Sequence, residues 1–243
     1  MDPSPQRGKC PRNPDSFKSF RDAGAFTPNI HLAALPETAA EVRNVSSILR
    51  NHGWAVDLFT GATATKAVVK SLDHPRLLHI ATHGYFISRS EALAMAKNMP
   101  TWYADDVLLR SGLFFAGSAS HSSGSQAAGI LTAYEASSLN LHGTELVVLS
   151  ACDTGLGETE NGERVLGLRR ALHEAGAQAV LISLWSVPDR ETEELMSEFY
   201  TKWLGGTEMH QALREAELEV RKRVIERYGR DIPKYWAGFV LSD

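Results

Sequence analysis

The sequence predicts an α/β protein whose central sheet is mostly parallel and is covered by helices on both faces. Segments of helical period alternate with short apolar runs along the 243 residues, and those runs are continuously apolar. Continuously apolar strands are typical of parallel sheets that are buried on both sides. With 43% hydrophobic residues, the chain is also long enough to bury one sizeable core.

The first helix is predicted over residues 38–52. Thr38 and Glu41 have the spacing of a capping box, in which both side chains accept from free backbone N–H groups of the first turn. Gly53 supplies the stop signal. The elements expected after this helix are a strand at 54–59, a helix at 64–72, strands at 77–81 and 112–116, a helical turn at 132–138, a strand at 146–149, a helix at 163–175, a strand at 179–184, helices at 190–204 and 208–228, and a last strand at 236–241.

Composition divides the chain into a lead-in and one domain. Residues 1–28 are rich in Pro, Gly, Ser and charge, which predicts a flexible lead-in. Residues 29–243 form the predicted domain. Within it, the Ser/Gly-rich stretch 118–125 is expected to be a flexible loop, with proteolytic processing there as an open alternative.

Charge and cysteine content exclude several classes of protein. The formal net charge of −4 does not favour a nucleic-acid surface. The two cysteines, Cys10 and Cys152, cannot form a disulfide framework and are expected to be reduced thiols. No apolar run reaches the roughly 18 residues of a membrane helix, and the first residues lack the apolar core of a signal peptide. We therefore expect a cytoplasmic protein that contacts neither a membrane nor nucleic acid.

Two predicted strands end in residues that carry chemistry. His83 follows the run at 77–81, and Cys152 follows the run at 146–149; Gly84 and Gly155 come soon after them. Because ligands gather beyond the carboxyl ends of parallel strands, His83 and Cys152 are expected to lie close together.

A neighbouring imidazole suits a cysteine nucleophile. Cysteine attacks as the thiolate, and an imidazole can take the thiol proton and later give it to the leaving amine. The backbone N–H groups of Gly84 and Cys152 would suit as oxyanion donors, since glycine admits a substrate backbone closely.

Five stretches of the chain together resemble the CHAT family, which consists of caspase-like domains found with tetratricopeptide repeats and related to caspases and separase. They are LLHIATHGYF (77–86), GILTAYEASSLNL (129–141), ELVVLSACDTGLGE (145–158), RVLGLRRALHEAGAQAVLISLWSVPDRET (164–192) and YWAGFVL (235–241). The resemblance implies a caspase-like three-layer sandwich, with His83 and Cys152 as catalytic dyad. It also implies control by an attached sensor or tetratricopeptide-repeat region, and hence the C-terminal part of a longer protein.

The start of the chain departs from the family pattern. Family members usually have a strand that ends in Asp-Pro before the first helix, whereas this chain opens at Met1-Asp2-Pro3. We expect that strand to be missing, which would leave edges of the sheet unpaired. Residues 26–34 are a poor substitute, because Pro28 limits a central-strand role.

Two acidic residues are candidates for the pocket that holds the residue before the scissile bond. Related proteases that prefer Arg or Lys there use a carboxylate, whose ion pair is strong when desolvated. Asp153 adjoins the nucleophile, and Asp189 follows the strand expected beside it. For Asp189 the alternative is an N-cap of the helix at 190–204.

The predicted function is a cysteine endopeptidase, a hydrolase that cleaves a protein substrate without a metal or cofactor. The alternative is a catalytically silent caspase-like scaffold. Cys152 could also be a small buried hydrophobic residue. His79 and His83 have the spacing of a zinc motif on a helix, but the run is strand-like, so His79 is expected to be a hydrogen-bonded core histidine.

Overall fold

The fold is seen in a computed structural model, which describes residues 36–95, 104–118, 129–153 and 161–243. Residues 36, 37, 95, 151–153 and 161–166 are described by their backbone alone. The lead-in at 1–28, most of the predicted loop at 118–125 and Gly155 lie outside the described residues, so those predictions stay untested.

The described chain alternates helices and strands, as predicted. The α-helices are α1 Pro36–Asn51, α2 Lys66–Lys70, α3 Arg89–Met95, α4 Ala133–Ala136, α5 Asn161–Glu174, α6 Asp189–Leu204 and α7 Met209–Tyr228. The strands are β1 Leu77–Phe86, β2 Ser111–Phe114, β3 Ile130–Thr132, β4 Leu146–Asp153, β5 Val180–Ser183 and β6 Phe239–Ser242. Two 3₁₀ turns lie at Gly61–Thr63 and Pro233–Tyr235.

The strands form one six-stranded sheet in the order β3-β2-β1-β4-β5-β6. The three central strands are parallel: β4 pairs with β1 on one side and with β5 on the other. Three antiparallel strands extend the sheet, with β2 and β3 beyond β1 and β6 beyond β5. The α/β class with a parallel centre is confirmed.

Helices cover both faces of the sheet, which gives the three layers of a sandwich. On one face α1, α6 and α7 pack on alternate residues of the central strands, among them Leu146, Val148 and Leu181. On the other face α2, α4 and α5 pack on the residues between them, among them Val147, Leu149 and Val180. Because β4 and β5 are buried on both faces, their sequences are continuously apolar.

The first helix begins two residues earlier than predicted, and the capping box is wrong. α1 starts at Pro36, and proline suits the first helical position because its missing N–H has no partner there in any case. Glu41 therefore lies inside the helix. Its carboxylate contacts His79 and Ser150 in the interior.

The strand predicted at 54–59 does not form. This segment is irregular and follows the end of α1, with the Trp54 backbone N–H bonded to Leu49 O at 3.1 Å. An apolar run forms a strand only where a neighbouring strand takes its backbone hydrogen bonds. The neighbouring strand expected from the family pattern is not among the described residues.

One edge of β1 is open over most of its length in the described part of the chain. β4 pairs with Leu77 through Gly84, whereas β2 pairs only with Gly84, Tyr85 and Phe86. A cavity of about 780 Å³ lies along the open part, and its lining includes Val42, Trp54, Leu77 and His83. A strand that pairs with this part of β1 is not among the described residues.

Two further sequence predictions differ from the structure. β3 was not predicted as a strand, because it spans only Ile130–Thr132 and overlaps the expected helical turn at Thr132 alone, after which α4 follows at once. The last strand starts at Phe239, three residues late, because a 3₁₀ turn occupies Pro233–Tyr235. No helix in the described ranges is long and apolar enough to cross a bilayer.

Candidate active site

The sheet aligns the two strand segments that were singled out from the sequence. β1 and β4 are parallel neighbours, and their register pairs His83 with Cys152 and Gly84 with Asp153. Neighbouring strands lie about 4.8 Å apart, so the backbones of the paired residues are adjacent. The position of the Cys152 sulfur lies outside the described side chains, as does that of the Asp153 carboxylate.

The two residues lie within strands, whereas the sequence placed them just after strand ends. β1 continues to Phe86 and β4 to Asp153, which adds five and four residues to the predicted runs 77–81 and 146–149. The extension of β1 is explained by its antiparallel pairing with β2, which aligns the end of β1 from Gly84 to Phe86 with Leu113, Gly112 and Ser111. His83 and Cys152 still lie near the carboxyl ends of their strands.

His83 borders the large cavity beside β1. Its side chain is half-buried, its Nδ1 atom is buried, and it lines the same cavity as Phe114, Phe115 and Ala116. Neighbouring Thr82 donates a hydrogen bond through Oγ1 to the carbonyl oxygen of Phe114 at 2.5 Å. His83 thus pairs with β4, while the residues on either side of it contact β2 through the Thr82 hydroxyl and the Gly84 backbone.

A chain of buried polar groups lies below this pair, and the sequence did not predict it. Glu41 is 3% exposed. Its Oε1 lies 3.0 Å from His79 Nε2, and its Oε2 accepts a hydrogen bond from Ser150 Oγ at 3.0 Å. His79 Nδ1 lies 3.0 Å from the hydroxyl of Tyr200, which is fully buried on α6. His79 is the hydrogen-bonded core histidine that was predicted.

The hydrogen-bond donors among these buried groups are Tyr200, His79 and Ser150. Burial raises the pKa of Tyr200 well above its usual value, and the charge of Glu41 raises it further, so the phenol stays protonated. The phenol can then donate to His79 Nδ1, and His79 Nε2–H can donate to Glu41. Ser150 supplies the second donor to the carboxylate. Both ring nitrogens of His79 and both oxygens of the Glu41 carboxyl group thus have a hydrogen-bond partner.

The sequence contained a signal that Glu41 belongs to these buried polar groups. Glu41, Val45 and Leu49 recur every four residues along α1 and therefore share one helix face. A carboxylate in line with two core residues is expected to be buried, and a buried carboxylate needs partners. The capping-box interpretation used Glu41 at the helix start and so missed this role.

The geometry does not support a zinc site at His79 and His83. Four residues along a strand span about 13 Å, so the two imidazoles are not placed as on a helix. Both ring nitrogens of His79 already have partners. Among the described residues, no group of three or more His, Cys, Asp or Glu side chains could hold a metal ion.

Comparison with known proteins gives the family. The family model described as CHAT domain matches residues 11–243. The chain belongs to the CHAT domain family. Its fold is that of a family related to caspase-like peptidases.

Curated relatives share part of this domain. Tetratricopeptide repeat protein 28 of Homo sapiens is 35% identical over 112 residues, and the protein of the same name from Mus musculus is 34% identical over 112 residues. Each alignment covers 46% of this chain and 4% of the relative. The CHAT domain described here thus matches a small part of much longer proteins, which are named for their repeats.

Two of the CHAT motifs pack against each other beyond the end of β5. Trp185 Nε1 donates a hydrogen bond to the carbonyl oxygen of Lys234 at 2.9 Å, and Leu184 N–H bonds to Gly238 O at 2.7 Å. A Cβ at Gly238 would lie 2.3 Å from Val187 Cγ2. The glycine therefore allows the segment before β6 to lie against the loop after β5.

The backbones of the two candidate pocket residues lie at the end of β4 and after the end of its neighbour β5. Asp153 is the last residue of β4, and Asp189 begins α6, six residues after the end of β5. The N-cap alternative for Asp189 is wrong, since Pro188 is the N-cap and Asp189 is the first helical residue. A carboxylate in the first turn of a helix interacts favourably with the positive end of the helix dipole.

Proposed function

We propose that this CHAT domain is a cysteine endopeptidase in which Cys152 is the nucleophile and His83 is the general base and acid. The observation that carries the proposal is the register of the parallel strands β1 and β4, which aligns His83 with Cys152. Both residue types are present at adjacent positions near the carboxyl ends of central strands, where α/β proteins place their chemistry.

The reaction requires one proton shuttle and one covalent intermediate. His83 takes the thiol proton, and the thiolate forms a C–S bond with the carbonyl carbon of the scissile peptide. The imidazolium then gives its proton to the departing amine as the C–N bond breaks. Water hydrolyses the thioester, which releases the new carboxylic acid and restores the thiol.

Backbone N–H groups of Gly84 and Cys152 are the proposed donors to the oxyanion. Gly84 lies beside His83 at the point where β1 leaves β4 and turns to β2. With no side chain, it leaves space for the substrate backbone. Loss of one such donor typically lowers the rate by about 10²–10³.

The cavity beside His83 supports access for a peptide. It has a volume of about 780 Å³ and is lined largely by apolar side chains, including Phe114 and Phe115 near His83. A preference for Arg or Lys before the scissile bond, through Asp153 or Asp189, is part of the proposal. A cytoplasmic location, and control by a sensor or repeat region, belong to it as well; the repeat-protein names of the relatives support the latter.

The test combines a peptide library with an electrophilic arginyl probe. Wild type is expected to cleave a subset of peptides and to be labelled at Cys152, whereas Cys152→Ala and His83→Ala lose both activities. Cleavage that neither substitution affects, or labelling at Cys10 alone, would refute the proposal. A folded protein that cleaves nothing would favour the scaffold alternative.

The preference before the scissile bond needs its own variants. Asp153→Asn and Asp189→Asn are compared with wild type on matched peptides that differ only in Arg, Lys or Gln at that position. If one carboxylate binds the cation, its variant loses the preference for Arg and Lys over Gln. An unchanged preference in both variants would eliminate this part of the proposal.

A further inference from the structure

The buried carboxylate of Glu41 is placed between the two strands that carry His83 and Cys152. It contacts His79 on β1 and Ser150 on β4, each at 3.0 Å, although it belongs to neither strand. One carboxylate on α1 therefore bridges the central pair of strands. A buried charge held by hydrogen bonds on both sides is costly to displace, because each broken contact leaves a desolvated polar group.

The bridge lies directly below the candidate catalytic pair. In the register of β1 and β4, Ala81 pairs with Ser150 and His83 pairs with Cys152. Alternation along a strand places positions 79, 81 and 83 on one face of the sheet, together with positions 150 and 152. The bridge at position 150 is thus one pleat, about 7 Å, from position 152.

Other contacts fix the bridge in place. Tyr200 on α6 holds the second nitrogen of His79, so the imidazole cannot rotate away from Glu41 without breaking that bond as well. Val45 and Leu49 seat α1 in the same apolar core as Tyr200. On the other side of β1 the sheet is open between Leu77 and His83 in the described residues, so β1 depends strongly on its contacts with β4 and α1.

We propose that Glu41 is a positioning residue for the endopeptidase reaction: its carboxylate holds β1 and β4 together one pleat below His83 and Cys152 and so keeps the imidazole and the thiol in register. The inference rests on the proposed function. It assigns no contact with the substrate to Glu41.

The variants are chosen to separate geometry from charge. Glu41→Gln keeps an acceptor for His79 Nε2–H and offers an N–H to Ser150 Oγ, so it preserves both contacts without the charge. Glu41→Ala removes both contacts, and Ser150→Ala removes one. Arg227→Ala breaks a buried ion pair between α6 and α7, outside the proposed machinery, and is the control for general loss of stability.

The measurement is labelling of Cys152 by an arginyl acyloxymethyl ketone, resolved into the binding constant KI and the first-order rate kinact. A displacement of about 1 Å at a reacting group can cost about 10²-fold in rate. Glu41→Ala is expected to lower kinact about 30- to 100-fold with KI changed less than 3-fold. Glu41→Gln should stay within about 5-fold of wild type. Arg227→Ala should keep the wild-type kinact despite its lower Tm.

Each outcome decides the inference. An equal fall of kinact in Glu41→Ala and Arg227→Ala would overturn it, since general destabilisation would then explain both. An unchanged kinact in Glu41→Ala would overturn it while leaving the proposed function intact. If wild type neither cleaves any peptide of the library nor is labelled at Cys152, the proposed function fails, and hydrogen exchange decides whether Glu41 positions the strands. Faster exchange at residues 79–83 and 148–152 in Glu41→Ala than in Arg227→Ala supports positioning, and equal exchange refutes it.

Discussion

At the scale of single residues, Gly238 has no side chain and so allows the segment before β6 to pack closely against the loop after β5. Its backbone bonds to Leu184 N–H, and its Cα lies against Val187, which is 2% exposed. Both segments belong to motifs that carry the resemblance to the CHAT family. A glycine in a strand or just before one often marks such a close approach.

Replacement of Gly238 by alanine is expected to destabilise the domain. The new Cβ would lie 2.3 Å from Val187 Cγ2, a distance at which one of the two segments has to move. Overpacking of this kind typically costs about 1–3 kcal/mol. Thermal unfolding should therefore shift downward by about 2–4 °C per kcal/mol for a domain of this size.

The double variant Gly238→Ala with Val187→Ala checks the cause. Removing the two methyl groups of Val187 makes space for the new Cβ, so the double variant should be more stable than the sum of the two single changes predicts. Simple additivity of the two losses would contradict a clash at this site.

At the scale of elements, α6 and α7 are joined by ion pairs that differ in burial. Glu191 on α6 is 1% exposed and is bound by Arg227 on α7 and by the hydroxyl of Tyr228. Arg227 also bonds to Glu194 at 2.6 Å. The neighbouring pair of Arg223 and Glu198 is more exposed, with side-chain exposures of 39% and 25%.

Arg227→Ala is expected to cost about 3–5 kcal/mol of folding free energy, because it leaves the buried carboxylate of Glu191 without its cation. Arg223→Ala should cost about 1 kcal/mol or less, as is typical of partly exposed pairs. Urea unfolding monitored by circular dichroism measures both. Equal losses in the two variants would show that burial of Glu191 does not control the interface.

Along α7, Glu217 and Glu219 form ion pairs at a spacing of three residues rather than four. Glu217 contacts Arg214 at 3.7 Å, and Glu219 contacts Lys222 at 2.6 Å, both at a spacing of three. Arg221 instead contacts Asp231 beyond the helix end. Spacing alone did not predict these pairs, because residues outside the helix compete for its arginines.

Glu217 makes the stability of α7 depend on pH. Burial raises the pKa of its carboxyl to about 7, against the opposing effect of Arg214. The folded state therefore holds a proton that the unfolded state, with a pKa of about 4.3, releases. This contribution to stability is present at acidic pH and is lost as the pH rises through about 7.

Glu217→Gln should consequently raise the unfolding temperature at pH 8 and have little effect at pH 4. After allowance for solvent screening, about 1 kcal/mol is expected, or about 2–4 °C. Glu219 on the same helix is the control: its hydrogen bond with Lys222 lowers its pKa, so Glu219→Gln should have the opposite sign at pH 8. Stabilisation by both substitutions would contradict this account.

At the scale of the whole molecule, the sheet is not equally protected along its width. β4 has neighbours on both sides, whereas β1 lacks a strand on one side from Leu77 to His83 within the described residues. The amides of a central strand with a neighbour on each side are all hydrogen-bonded, and they exchange only when the whole domain unfolds. The open edge beside the cavity should therefore be the weak part of the sheet.

Hydrogen exchange followed by NMR tests this expectation. Amides at 147–149 should exchange slowest of all strand amides. Along β1, the amides directed to β4 should be protected, and the alternate amides directed to the cavity should exchange much faster. Uniform protection along β1 would show that a strand covers this edge in solution.

The sequence predicted most of the helices and strands, because the helical period and the continuous apolar runs can be recognised within a short stretch of residues. It did not predict the irregular segment at 54–59, whose apolar residues have no neighbouring strand within the described part of the chain, or the true ends of β1, which depend on pairing with β2. Similarly, the motifs pointed to His83 and Cys152, but the bridge of Glu41 joins residues 109 positions apart and follows only from tertiary structure.

The central claim is that His83 and Cys152 act on one substrate carbonyl. It is tested most directly by acid quenching during turnover of a cleaved peptide, followed by mass spectrometry of the protein. The account predicts a thioester between Cys152 and the acyl half of the peptide in wild type, and none in His83→Ala. Peptide cleavage without an adduct on Cys152, or with an adduct that forms equally well in His83→Ala, would contradict it.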